Sequence, residues 1–600
     1  MNVAEYIASR LVELGIDTCF TVTGGGAMFL NDAFGHCSDL RVIYCHNETA
    51  AAIAAEGYAR VNYKPALVCV TSGPGAVNAI PGVYGAWQDA IPMFVVSGQM
   101  RSDTLSTSTS AKVRYLAFQE SNIISLCEPI TKYSMQIKNA SEVSSCLEEA
   151  YGQALSGKMG PVWLDIPVDI QSSPMANYSN LSAMDRISAH TNTNLERKAD
   201  ELVTLLKRSK KPVLMFGEEI RMQDCVSSAL QLAECLNIPV VTEWNAHDQI
   251  CDDHSNYAGR PGTIGNRGGN FTVQDCDLLI ALGCQLSIRQ ISYNWQSFAK
   301  NAKLCYVTCD SAELDKPTIH VDLAVLGSIE DFCSLVISNV NTPRRCWDEW
   351  NSWCHDRNIK YSVTGSVLND EAGFVSSYEF FRSLSEQLPT RSVTTLANGA
   401  ACVVGLQSFV VKQNTRVFTN AGASSMGYGI ASALGAAAFV NSENVPTVCV
   451  EGDGSIMMNL QELQTIITNK LNIKIFILNN NGYHSIRQTQ KNMFSAETRG
   501  FCGADPTSGL ELPNFEKISA AFEITYKYIK KQKDINKIVN EVLKLRGPVV
   551  CEVYIDPDED FKPKLMSKLL DDGTFSTPEL EDMYPFLSKE EIEKNKFKLK

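Results

Sequence analysis

The sequence predicts an α/β protein made of three doubly wound parallel-sheet domains, and three observations carry that expectation. Short apolar, β-rich runs alternate with amphipathic stretches along the chain, the pattern of parallel strands covered by helices on both faces. The 600 residues exceed what one hydrophobic core organises, and at roughly 150 residues per domain three or four domains are expected. A weak internal repeat relates the two ends. Leu67-Val-Cys-Val-Thr-Ser-Gly-Pro-Gly75 leads through a helix to the strand ending at Gln99, and Thr447-Val-Cys-Val-Glu-Gly-Asp-Gly-Ser455 leads through a helix to Ile473-Lys-Ile-Phe-Ile-Leu-Asn479-Asn480.

The first domain is placed at 1–175, closing with the strand Gly160-Pro-Val-Trp-Leu-Asp-Ile-Pro-Val-Asp169, and the polar stretch after Ser172 reads as a linker. The second is placed at 190–340, with strands at Lys211-Pro-Val-Leu-Met-Phe-Gly217, Leu278-Leu-Ile-Ala-Leu-Gly283 and Leu304-Cys-Tyr-Val-Thr308; Asn341-Thr-Pro-Arg-Arg345 leads onward. The third is placed at 370–560 and finishes with Val549-Val-Cys-Glu-Val-Tyr-Ile555. A charged tail, 561–600, carries Phe561-Lys-Pro-Lys564 and is expected to close over the site and exclude water.

Composition bounds the function. With 53 Lys+Arg against 67 Asp+Glu, the net charge of −14 argues against nucleic acid as a partner. No apolar run reaches the 18 or so residues of a membrane span, and the start lacks the basic-then-apolar pattern of a signal peptide, so a cytoplasmic protein is expected. The 20 cysteines include no C-x-x-C pair and many lie inside apolar runs; reduced core residues are expected rather than zinc ligands.

The strongest chemical signal is Gly452-Asp453-Gly454-Ser455 followed by Asn479-Asn480. The glycines let a phosphate approach the backbone after a strand, and the next helix points its N-terminus at the anion. Asp453 offers a hard oxygen to magnesium or calcium. A right-handed crossover brings Asn480 beside it, and the Gly482 carbonyl is a further candidate ligand.

These residues resemble those of the thiamine-diphosphate enzymes, specifically the acetolactate synthase-like group, over about residues 1 to 570. The resemblance implies thiamine diphosphate and Mg2+ as cofactors, with FAD possible. It also implies a pyrimidine-binding first domain, an FAD-binding-like central domain, a diphosphate-binding third domain, and a homodimer or homotetramer with each site formed between two subunits. Cys45-His46-Asn47-Glu48, followed by Thr49 through Arg60, matches the family's glutamate segment. Glu48 is then the acid that hydrogen-bonds the pyrimidine ring, and a buried carboxyl would suit that task; His46 has the weaker role of packing or orientation. Thr71 through Asn78 resembles the turn beneath the pyrimidine, with Gly73 and Asn78 as contacts, and Gly25 of the Gly24-Gly-Gly26 triplet falls near the thiazolium. Phe118 and Gln119 resemble the Phe-Gln pair over the reactive ring, Gln119 serving as donor to substrate oxygens. Asn398, Gly399, Gly422, Gly452, Gly454 and Ser455 fit the remaining cofactor contacts. Met426 matches the bulky residue that bends the cofactor.

Departures from the family pattern bear on substrate. Pyruvate-decarboxylase-type enzymes carry adjacent histidines near the Phe-Gln position, and none of the 8 histidines here adjoins another. Thr489 stands where acetolactate synthases have a tryptophan restricting the acceptor, which implies a second substrate larger than pyruvate, such as a ketone on an activated sugar. His484 and Arg487 could meet its anionic groups, or be solvated helix residues. In the central domain Gly262, Thr263, Gly283, Arg289 and Asp310 align with flavin contacts, but Leu286-Ser-Ile288 replaces the paired acids that normally precede Arg289. Gly152-Gln-Ala-Leu-Ser-Gly157-Lys158 imitates a phosphate loop but continues with Met159, leaving no hydroxyl for a metal. The expected activity is decarboxylation of a 2-keto acid, pyruvate foremost, with transfer of the two-carbon unit to a second carbonyl. The alternatives are acetyl transfer to a keto-sugar nucleotide, non-oxidative decarboxylation by a lyase, and a non-catalytic relative that binds the cofactor for stability. The only membrane or nucleic-acid expectation is a negative one: small molecules are the partners.

Overall fold

Apolar runs buried on both faces can only be strands of a covered sheet, and here they form three. The computed structural model describes residues 1–175, 193–340, 347–363, 372–440, 442, 444–494, 499–569 and 572–598. The stretch at 341–345 and most of the polar stretch after Ser172 lie outside these. The first sheet contains β1 (Thr18–Thr21), β2 (Arg41–Tyr44), β3 (Leu67–Val70), β4 (Met93–Gln99), β5 (Tyr133–Gln136) and β6 (Pro161–Pro167) in the order β2-β1-β3-β4-β6-β5. The second contains β7 (Pro212–Phe216), β8 (Val240–Thr242), β9 (Leu278–Leu282), β10 (Lys303–Thr308) and β11 (Leu323–Leu326), ordered β11-β10-β9-β7-β8. The third contains β12 (Val393–Leu396), β13 (Arg416–Phe418), β14 (Thr447–Gly452), β15 (Ile473–Asn479), β16 (Thr525–Ile529) and β17 (Val549–Tyr554), ordered β13-β12-β14-β15-β17-β16. Every pairing in the three sheets is parallel.

The first and third sheets share one strand order, so the sequence repeat is a repeat of topology. Their covering helices also share a core. Helix Glu48–Asn62 opens on Asn47, whose side chain accepts from the Thr49 and Ala50 N–H groups, and ends on Tyr63 in the left-handed region. Its alanine-rich flank packs on helix Tyr428–Val440, and two glycines set how closely. A Cβ on Gly57 would stand 2.3 Å from the Ser432 carbonyl oxygen, and one on Gly435 would stand 1.8 Å from that of Ala54. Because Gly57 meets Ser432 while Ala54 meets Gly435, the helices run antiparallel. The buried cluster there runs from Phe20 and Ala51 through Ile430 to Ile475, joining the two sheets.

A buried ionic junction ties in the central sheet. Arg60 bonds Glu56 and Asp89, while Arg416 bonds Asp248 at 2.7 Å and reaches Glu218 at 3.5 Å. Arg221 also pairs with Asp248, and Asn245 donates to Asp89. Such charges are tolerated in an interior because each meets its opposite.

The tail is a strap rather than a free lid. Its first residues cross the third and second sheets' junction, with the Leu565 N–H donating to the Thr263 carbonyl. The rest docks on the central domain: Asn270 donates to the Leu580 carbonyl, the Phe597 N–H donates to Asp275, and the Phe597 ring meets Trp350 at 5.2 Å. The described cysteines carry free thiols, most of them buried. Among the described residues no helix is long and apolar enough to cross a membrane.

Candidate functional site

At the carboxyl end of β14 the chain turns through Gly452-Asp453-Gly454. The Asp453 carboxylate is buried; one oxygen accepts from the Gly454 N–H at 2.8 Å, the other from Asn480 N–H at 3.1 Å and Gly482 N–H at 3.0 Å. Burial pushes its pKa up to about 7, against the pull of those three N–H groups and of Arg487. The crossover therefore delivers Asn480 to Asp453 as its spacing predicts. The Asn480 side-chain oxygen is buried there with no hydrogen-bond partner among the described residues. A buried carboxylate, an orphaned amide oxygen and a neighbouring backbone carbonyl form a donor set that suits a hard divalent cation. Two glycines have no room for a side chain: a Cβ on Gly454 would stand 2.2 Å from the Tyr483 ring, and one on Gly482 would stand 2.2 Å from the Ala504 carbonyl.

The other residues expected around the diphosphate gather here. The Ser455 hydroxyl accepts from the Gly427 N–H at 2.9 Å, tying the turn to Met426, which is half-buried. Asn398 donates to the Ser424 carbonyl, and Gly399 begins a helix at a φ of 62°. Gly422 behaves differently from expectation within one chain. Its N–H and that of Ala421 both donate to the Asp89 carboxylate, at 2.8 and 2.9 Å. Asp89 was not singled out in the sequence; its signal was a lone acid between a helix and a buried strand.

Two expectations about the following helix, His484–Phe494, are corrected. Arg487 is neither solvated nor open to an anion: it is buried and donates to the Asn480, Asn481 and Pro557 carbonyls. His484 is buried as well, with Nε2 against Gln488 and its ring stacked 5.0 Å from Phe561. Burial and the nearby Arg487 charge push its pKa down to about 4, so the ring is neutral at neutral pH. Thr489, by contrast, lines an open cleft of about 900 Å³ together with Asn398, Gly399, Ser424, Phe561 and Lys564.

The second group of expected residues lies in the first domain. Glu48 is the first residue of its helix. One oxygen accepts from Asn78 Nδ2 at 3.1 Å, and the other lies near Gly75, where an added Cβ would stand 3.3 Å away. The expected burial is not met in the single chain. Glu48 is half-buried. Gly73 has a φ of 61°, and a Cβ there would stand 2.5 Å from the Gln119 carbonyl oxygen, so Gln119 rides on this turn. Phe118 is 76% exposed. The missed residue is Glu120, which accepts from the Ser106, Leu116 and Ala117 N–H groups and so shapes the loop bearing Phe118 and Gln119. Gly25 is exposed with open space around it, whereas Gly24 and Gly26 pack against Thr71 and Ser72. His46 offers its backbone N–H to Glu462 while its side chain is exposed.

The structure thus assembles two half-sites. Met426 precedes a helix antiparallel to the Glu48 helix, whose 15 residues span about 20 Å, so Glu48 and Met426 lie toward opposite ends of that helix. Among the described residues no hydrogen bond or ion pair joins Glu48 to Asp453, Asn480 or Met426.

In the central domain Thr263 and Arg289 face a cleft of about 560 Å³ with Trp244, Gln285 and Tyr293. Gly262 is tied to Asn270, and the Thr263 hydroxyl donates to the Arg289 carbonyl. Asp310 lies in a neighbouring cleft with Lys158, whose ammonium pairs with Glu313 at 2.5 Å; the false phosphate loop's lysine is an ion-pair partner.

Three parallel sheets, with an acid–glycine turn and a buried amide oxygen at one strand end, form an α/β architecture suited to a phosphorylated group and its cation. Comparison with known proteins gives the family. Residues 1–125 match the family model "Thiamine pyrophosphate enzyme, N-terminal TPP binding domain", 199–336 the central domain of that family, and 397–553 its C-terminal TPP binding domain. The chain is 28% identical over 563 residues to the acetolactate synthase isozyme 2 large subunit of Escherichia coli (strain K12), covering 94% of this chain and 97% of that protein. It is 28% identical over 586 residues to the acetolactate synthase large subunit of Lactococcus lactis subsp. lactis (strain IL1403), covering 97% of each. With the chloroplastic acetolactate synthase of Arabidopsis thaliana it shares 27% identity over 585 residues, 96% of this chain and 83% of the plant protein. The chain belongs to the thiamine pyrophosphate enzymes, in their acetolactate synthase-like group, and is a thiamine-diphosphate-dependent transferase of the carboligase type.

Proposed function

We propose that the enzyme uses thiamine diphosphate and Mg2+ to decarboxylate pyruvate and join the two-carbon unit to a second carbonyl compound. The observation that carries the reading is the Asp453 turn, where a buried carboxylate accepts from the Asn480 N–H and the Asn480 amide oxygen lacks a hydrogen-bond partner among the described residues. When bound, thiamine diphosphate supplies the electron sink that lets a 2-keto acid lose carbon dioxide.

The chain's residues divide the remaining work. Asp453, Asn480 and the Gly482 carbonyl hold the ion that anchors the diphosphate, while Gly452, Gly454 and Ser455 give the phosphate its approach. Asn398 and Gly399 would complete that wall and Met426 would pack against the cofactor, whereas the Gly422 N–H is held by Asp89. Glu48 would offer its carboxyl to the pyrimidine ring, oriented by Asn78. Gly25 and Gly73 leave room for the ring, and Gln119 beside Phe118 donates to the substrate's oxygen. Since Glu48 and Asp453 belong to separate half-sites, the reading includes a homodimer or dimer of dimers in which one subunit completes the other's site.

The printed names of the relatives support acetolactate formation. The open cleft at Thr489 favours a second reading, acetyl transfer to a bulkier ketone such as a keto-sugar nucleotide. Incubation with thiamine diphosphate, Mg2+ and labelled pyruvate, with and without candidate ketones, tests both. The expected result is carbon dioxide release coupled to a lengthened carbon skeleton, with a rate that rises when the right ketone is added. Full-rate release of free acetaldehyde without any acceptor would assign a lyase instead.

A further inference from the structure

In an open parallel sheet, a dinucleotide's phosphates sit outside the strand ends, on the N–H groups of the turns and helix starts that follow. The central sheet reverses its strand order between β9 and β7, so the crevice for such a ligand lies over Gly283 and Gly217. That is also where the family resemblance allows FAD. The residues there are already committed.

After β9 the chain passes through Gly283, at a φ of 59°, to Gln285 and Leu286 before the short helix Ile288–Ile291. The Gln285 and Leu286 N–H groups both donate to the Glu243 carboxylate, each at 2.8 Å, one to each oxygen. This is the bidentate geometry in which a turn holds a phosphate, with a carboxylate in the phosphate's place. Glu243 itself is buried, directly after β8. The end of β10 repeats the arrangement: the Cys309 N–H and the Thr308 hydroxyl donate to Glu219, at 2.6 and 2.9 Å.

Space and charge agree. A Cβ on Gly217 would stand 2.1 Å from the Gly283 carbonyl oxygen, so the two turns touch across the crevice. Arg289 lies over the Trp244 ring, 4.5 Å from its centroid, and the two nearby lysines are paired inwardly. Lys158 bonds Glu313, and Lys316 bonds both Glu313 and the Gln285 carbonyl. A pyrophosphate placed here would meet Glu218, Glu219, Glu243 and Glu313 with those lysines already engaged.

We infer that Glu243 fills the phosphate position of the central crevice with the chain's own carboxylate, so this domain takes neither FAD nor an adenine nucleotide at that position. The flavin does not fit, and no catalytic step passes through it. The inference rests on the central domain alone and stands apart from the choice of acceptor.

The test uses the full-length protein reconstituted with thiamine diphosphate and Mg2+. The wild type is expected to purify colourless and to give no calorimetric binding signal with FAD or ADP. Glu243→Ala, which frees the two N–H groups and removes a charge, is expected to gain affinity for FAD or ADP by roughly tenfold or more. Glu243→Ser, which likewise vacates the position, provides the same comparison should the alanine variant fail to fold. Flavin co-purifying with the wild type at near one per chain, or tight ADP binding by it, overturns the inference. So does a folded Glu243 variant with no gain in affinity.

Discussion

Asn480 places its side-chain oxygen, a buried polar atom, in the wall of the site. Among the described residues it accepts no hydrogen bond, so removing it costs no internal hydrogen bond. Asn480→Ala is therefore expected to unfold in urea within about 1 kcal/mol of wild type when no divalent ion is present. The same variant should lose Mg2+-dependent retention of thiamine diphosphate, measured by titration. A large loss of stability without ion would mean the amide serves packing. Asp453 and Asn480 were legible in the sequence because a strand–helix–strand unit has a fixed hand, and its length alone brings two strand ends together. Arg487 and His484 were not. Both are covered by Pro557, Glu559 and Phe561, some seventy residues away, and no local pattern announces that a helix's polar face will be roofed by a distant strap.

At the scale of elements, the pairing of helices Glu48–Asn62 and Tyr428–Val440 decides where each half-site lies. Their contact depends on missing side chains. Gly435→Ala would drive a methyl group to 1.8 Å from the Ala54 carbonyl, so the helices must separate. The expected cost is about 1–3 kcal/mol or more, read as a fall in the urea midpoint at unchanged slope. An unchanged midpoint would show that the pair already has slack. Many strands were readable, since continuous apolar runs ending in glycine mark buried parallel strands, and the repeat pointed to a shared topology for the first and third sheets, but the order of the strands was not in the local pattern. The helix pair was hidden for the opposite reason. Alanine and glycine stretches such as Ala50–Ala55 show helical propensity but little of the apolar periodicity that identifies a partner face.

On the scale of the whole molecule, buried charges from all three domains meet at one junction, and Asp89 spans it: the same carboxylate that takes Arg60 and Asn245 also holds the Ala421 and Gly422 N–H groups. The domains are thereby fixed relative to one another, and so is the separation of Glu48 from Met426. That rigid separation has a genetic signature. Take two defective proteins, Glu48→Gln and Asp453→Ala, each inactive when assayed alone. In a mixed pair of subunits, one of the two catalytic centres draws its intact acid from one parent and its intact ion ligand from the other. Random reassociation of equal amounts should then restore about a quarter of normal turnover. If each polypeptide instead kept both groups for its own use, the mixture would stay dead at every ratio, and the two mutations would never complement.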